Sequence, residues 1–210
     1  VSIRAIDSVS NVSNTVTSDG FTIDMEAPEI YYVNEGSISS DIDIQNIDSV
    51  LSSSWQGIDI SPGSEVSYYE VALGTSRGDS NTVDWYSTIN SYTLNMLGDS
   101  THLNDGATYY VSVRAIDHAG NRSDVLISDG ILIDLTPPLL GTIRDGLDMD
   151  IDFTQSTTTL SANWLGFIDT VSNIVNYDVA FTDDTSRFDI ISWDSVGLIS
   201  NYTIDTLSSL

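Results

Sequence analysis

The chain contains no cysteine and no lysine. The first absence excludes a disulfide framework, a thiolate metal site and a thiol nucleophile. The second excludes side-chain isopeptide links of the Lys–Asn kind, so mechanical strength has to come from sheet hydrogen bonding, packing or metal. Histidine is scarce as well. His102 and His118 fall in a loop and a turn, with no second histidine at ligand spacing, which argues against zinc and against general-base catalysis. The abundant serines include no Gly-x-Ser-x-Gly elbow. No apolar run approaches the roughly 18 residues that span a bilayer. No basic segment followed by an apolar stretch opens the chain, as a signal peptide would require. Val1 in place of methionine reads as a chain processed or cut from something longer.

Positive charge is the next deficit. Six arginines face 31 acidic residues, 26 of them aspartate, for a net charge of −25. Such a field repels phosphate, so neither nucleic-acid binding nor membrane insertion is expected. Two readings of the acidity remain: a solvated surface that keeps a secreted protein soluble, or aspartates that bind calcium, an oxygen-seeking cation.

The dominant feature is a repeat. "VSIRAIDSVSNVSNTVTSDGFTIDMEAP" (1–28) lies on "VSVRAIDHAGNRSDVLISDGILIDLTPP" (111–138), so that Asp7 meets Asp117, Asn11 meets Asn121, and Asp24 meets Asp134. "DIDIQNIDSVLSSSWQG" (41–57) lies on "DIDFTQSTTTLSANWLG" (150–166), and "YYEVALG" (68–74) answers "NYDVAFT" (176–182). The period is about 110 residues. It divides the chain into the last strands of one repeat (1–29), a complete repeat (30–139) and the first strands of another (140–210).

Each repeat reads as all-β. "TYYVSVRA" alternates with period two, sending Tyr109, Val111, Val113 and Ala115 to one face. "VLSSSW", "SYYEVAL", "TVDWYST", "SYTLNML" and "VLISDGILID" are further runs of strand length between turn residues. Seven or so short strands in about 110 residues is the pattern of a β-sandwich.

"LNDGATYYVSVRAIDHAG" (103–120), "LSSSW" and "LSANW", and "VSYYEV" and "IVNYDV" resemble the fibronectin type III family of immunoglobulin-like sandwiches. The resemblance implies that Trp55 and Trp164 are the core tryptophans, that Tyr69 and Tyr177 are their strand C neighbours, and that Tyr109 is the tyrosine corner. Asp105 and Asp117 stand where that family has Pro and Asn. "AIDHAGNRS…DGILIDLTPP" also looks like the joints of tandem immunoglobulin-like modules in large bacterial surface proteins. Pro137 and Pro138 would stiffen that joint by fixing φ, whereas "DMEAP" has a single proline and should bend more easily.

Asp145, Asp148, Asp150 and Asp152, with Asp134, are the candidate calcium ligands; Glu35, Asp41 and Asp43 hold the matching place one repeat earlier, and Asp117 and Asn121 could join from a neighbouring turn. The competing reading puts Asp148, Asp150 and Asp152 on one face of a solvated edge strand that resists aggregation. Trp85 and Trp193 recur at matching places, as packing over the sandwich edge or as platforms for sugar rings; Tyr31 and Tyr32 have no counterpart. Asp-Ser/Thr pairs at Ser8, Ser49, Ser100, Thr170, Ser195 and Thr206 resemble an O-glycosylation pattern of Bacteroidetes secreted proteins, and Asn11, Asn121 and Asn201 are N-x-Ser/Thr acceptors.

The expectation is a non-catalytic tandem array of immunoglobulin-like sandwiches, secreted or on a cell surface, that spaces or displays something else. Its partners would be neighbouring repeats, identical chains in a fibre, or a surface glycan or protein. The rival readings are an accessory or carbohydrate-binding module of a secreted enzyme, and a strand-donating filament subunit.

Overall fold

The computed structural model describes residues 1–37, 40–60, 63–182 and 191–205. Among these residues there is no helix, and the sheets are mostly antiparallel, so the chain is all-β. It forms two compact units, Val1–Leu103 with Ala107–Leu132, and Asn104–Gly106 with Ile133–Leu210.

The first unit holds β1 (Ser2–Ile3), β2 (Val16–Thr17), β3 (Glu29–Ser37), β4 (Ser40–Asp41), β5 (Ile44–Gln45) and β6 (Ser53–Ile58). It continues with β7 (Val66–Gly74), β8 (Val83–Thr88), β9 (Tyr92–Thr93), β10 (Thr108–Asp117), β11 (Leu126–Ile127) and β12 (Ile131–Ile133), the last of which runs one residue into the second unit. One sheet is ordered β5-β12-β10-β7-β8, with β11 also on β10; another is ordered β4-β3-β6-β9; β1 and β2 pair separately. The second unit has β13 (Thr142–Asp145), β14 (Leu160–Leu165), β15 (Tyr177–Phe181), β16 (Ile191–Gly197) and β17 (Asn201–Ile204). They form the sheets β13-β14-β17 and β15-β16.

The core of the first unit follows from alternation. Tyr109, Val111, Val113 and Ala115 of β10 are all buried, and Tyr110 and Arg114 on the other face are half-buried. Ser112 departs from the pattern, being fully buried with its hydroxyl unpartnered. Trp55 of β6 meets Tyr69 of β7 edge-on, with ring centroids 6.1 Å apart. Trp164 and Tyr177 repeat that contact at 5.7 Å in the second unit. Gly57 lets the pair close: a Cβ there would stand 2.9 Å from Tyr69 Cε1, and its N–H donates to the Tyr69 hydroxyl at 3.3 Å.

Three expectations change. "VLISDGILID" is not one strand but two, because Gly130 takes φ +108° and a Cβ at that place would lie 2.6 Å from Tyr110 Cε1. The break shifts the pairing with β10 from Ser112↔Ile127 to Thr108↔Leu132. "SYTLNML" supplies only the two-residue β9. Asp148, Asp150 and Asp152 do not line a strand. The chain turns after Asp145, where Asp150 Oδ1 accepts the Asp145 N–H at 3.0 Å and the Ile151 N–H returns to the Asp145 carbonyl.

Candidate metal centre

The turn Asp-x-x-x-Asn at Asp7–Asn11 recurs one repeat later at Asp117–Asn121, and these two copies fold alike. At the end of β10 the Asp117 carboxylate accepts the Asn121 N–H and the Asn121 Nδ2–H, each at 2.8 Å. Asp7 and Asn11 make the same two bonds at 2.8 and 2.7 Å. Asp and Asn favour such turns because their short side chains bond the backbone a few residues away. The fourth residue needs left-handed backbone in both copies: Gly120 has φ +92°, and Ser10 has φ +74°.

The two copies differ in surroundings. Asp7 lies on the surface, whereas Asp117 is 2 % exposed. The joint segment comes down beside Asp117. Asn121 Nδ2 also donates to the Asp24 carbonyl at 3.3 Å, and Asp24 Oδ2 accepts the Ser64 N–H at 2.7 Å. Bonds from Ser64 and from the Glu26 N–H hold the Asp24 carboxyl below the ordinary carboxylate value. On the other side the loop after β6 brings in Asp59. Oxygens of Asp24, Asp59 and Asp117 lie within 4.8 Å of one another. Both Asp59 oxygens are shielded from solvent and accept no hydrogen bond. Gly63 backs onto them so closely that a Cβ there would stand 2.2 Å from Asp59 Oδ1.

Three carboxylates at this separation repel one another, and the ion pairs of the described residues lie elsewhere: Glu70 with Arg114 and Arg122, and Asp48 with His102. Two unpartnered, shielded oxygens facing two further carboxylates offer the all-oxygen surroundings a hard divalent cation takes, calcium above all. On this arrangement, calcium is expected to raise the melting temperature of the chelator-treated chain by about 5–10 °C. Asp59→Asn should reduce that gain by the share this group supplies. Equal melts in calcium and EGTA would end the reading.

The sequence singled out Asp117, Asn121 and the Asp24 joint, but not Asp59. Its one signal is the recurrence of an aspartate just past each core tryptophan, Asp59 and Asp169; Asp169 instead accepts the Val171 and Ser172 N–H groups. Asp145, Asp148, Asp150 and Asp152 are exposed and form no group of three ligand oxygens among the described residues. Asp134 caps the Thr136 N–H at 3.1 Å, ahead of the exposed Pro137 and Pro138.

Trp85 is half-buried under the Arg114 guanidinium, 4.5 Å from the ring, and Arg114 also pairs with Glu70. Trp193 is 64 % exposed, as is Tyr31 at 56 %. Ser8, Ser49, Ser100, Thr170, Ser195 and Asn201 are exposed, and Thr206 lies outside the described residues. The Asn11 and Asn121 amides are engaged by Asp7 and Asp117. A glycan on Asn121 would have to break two hydrogen bonds, so its mass is expected to be that of the unmodified residue by peptide mass spectrometry. No family model matches the chain, and no curated protein is significantly similar to it.

Proposed function

We propose that the chain is a non-catalytic structural segment of a large bacterial surface protein, adhesin or extracellular fibre. In this reading it is built of tandem immunoglobulin-like, fibronectin-III-like sandwiches, with a complete repeat at 30–139. Supporting it are the paired recurrences Trp55–Tyr69 with Trp164–Tyr177, and Asp7–Asn11 with Asp117–Asn121. The observation that carries it furthest is the fastening of the joint. Asp24 is bonded by loops at Ser64 and Asn121 and faces Asp59 and Asp117. A cation there would lock joint and loops together, which is what a stiff spacer needs and a catalyst does not. In such arrays each repeat buries its own core, so length is added without new folding problems.

The test is the mass of the parent polypeptide recovered from cell surfaces or medium. Hundreds of kilodaltons are expected, and a parent near the 22.8 kDa of this chain would overturn the array. One observation favours strand exchange as a second reading. Ile3 and Ile6 are 68 and 63 % exposed, while their counterparts Val113 and Ile116 in β10 are buried. Concentration-dependent polymers in analytical ultracentrifugation would support exchange between chains; a monomer at all concentrations would exclude it.

A further inference from the structure

A second group of carboxylates lies away from the joint, where the β3–β4 hairpin meets the break between β11 and β12. Oxygens of Glu35, Asp41 and Asp129 lie within 4.8 Å of one another. The hairpin pairs Gly36 with Asp41, and the Glu35 N–H donates to Asp41 Oδ1 at 3.0 Å. Gly36 turns at φ +98°, which brings Asp41 back over Glu35. Asp129 is delivered by the break that Gly130 makes in the β11–β12 run.

Glu35 is 0 % exposed. Its Oε1 accepts a short hydrogen bond from Ser128 Oγ, which in turn accepts the Val111 N–H at 2.9 Å. Its Oε2 is buried and has no hydrogen-bond partner. The charged groups facing it are Asp41 and Asp129, with Asp43 beside Asp41, and all are negative. Among the described residues no Arg or His pairs with any of them. A buried carboxylate oxygen left bare among like charges is costly unless something positive meets it.

We propose that Glu35, Asp41 and Asp129 form a second divalent-cation site of the calcium class, separate from the group at the joint. Ser128 fixes the Glu35 carboxylate through one oxygen and leaves the other without a hydrogen-bond partner. The donors are all oxygens, two of the three residues are exposed and within reach of entering ions, and the third is held rigidly in the core. Burial raises the Glu35 carboxyl to about 7, so a cation entering near neutral pH displaces a proton. Binding therefore tightens as pH rises from 6 to 8.

The test is calorimetric titration of calcium into the chelator-treated chain at pH 7, alongside Glu35→Gln, Asp129→Asn and Asp59→Asn. Glu35→Gln is expected to lose one equivalent of bound calcium, and Asp129→Asn, an exposed change that spares the core, to weaken that equivalent tenfold or more. Asp59→Asn should keep it, with proton release measured in buffers of different ionisation heat. That variant separates the two sites: loss of binding at the joint leaves binding at this site in place. Unchanged binding in both Glu35→Gln and Asp129→Asn would overturn the proposal, as would no binding by the unaltered chain.

Discussion

In the absence of divalent cations the chain is expected to lose about 3 kcal/mol of stability between pH 4.5 and 7, and Glu35→Gln to abolish that loss. Burial, opposed by the Ser128 hydrogen bond and reinforced by Asp41 and Asp129, raises the Glu35 carboxyl from 4.5 to about 7. Across this window the folded chain holds a proton that the unfolded chain has released. The contribution is complete below the unfolded value and disappears as pH rises through the folded one. At pH 8 Glu35 must therefore ionise inside the core, and Gln, of the same shape but uncharged, is the more stable side chain there.

General repulsion within a chain of net charge −25 also weakens as pH falls. That background is common to both proteins and cancels in their difference. The carboxyls held low by hydrogen bonds (Asp7, Asp24, Asp105 and Asp169) act elsewhere, because stability tied to them fades only as pH falls through their depressed values. Urea melts of both proteins at half-unit pH steps in chelator would show the effect. Parallel profiles would mean that Glu35 is relieved in some other way. Calcium at pH 8 should stabilise the unaltered chain by more than it stabilises Glu35→Gln, which keeps only the group at Asp24, Asp59 and Asp117.

What could be read in the sequence beforehand depended on distance along the chain. Strands and their faces are local, so period two alone places Tyr109, Val111, Val113 and Ala115 inside, where they are buried. The Trp55–Tyr69 contact was legible because the same pair of residues recurs about 110 positions later. Ser112 broke the alternation because both faces of β10 are covered there. The carboxylate groups were harder. Asp145 to Asp152 drew attention as a dense local run, but density along the chain does not bring side chains together when the chain turns outward at Gly146. The groups that do form draw on residues 24, 59 and 117, and on residues 35, 41 and 129. Those distances close only once β10 is seated between β7 and the β11–β12 run. In the sequence Glu35 stands only as a counterpart of the dense run, and nothing local announces that its partner is an aspartate in "SDG".

Trp55→Ala is expected to destabilise the first unit by about 3–5 kcal/mol, the larger of the two effects. Trp55 is 1 % exposed and packs against Tyr69, whose hydroxyl accepts the Gly57 N–H, so truncation leaves a closed void that β6 and β7 cannot fill. Trp164→Ala should cost the second unit roughly half as much. Trp164 is nearly as buried, at 6 %, but its surroundings are open. Ile143 is 66 % exposed and Tyr177 is half-buried, so water can enter the space and neighbours can relax into it. Phe at either position should be milder than loss of volume alone implies. Both indole Nε1 groups are buried without a partner, and Phe removes that orphaned donor. Chemical denaturation followed by tryptophan fluorescence, with each substitution alone and both together, reads out the comparison. If Trp164→Ala proved as damaging as Trp55→Ala, the second unit would have to be closed in solution by something that covers Ile143 and Trp193, and strand exchange would become the leading account of that cover.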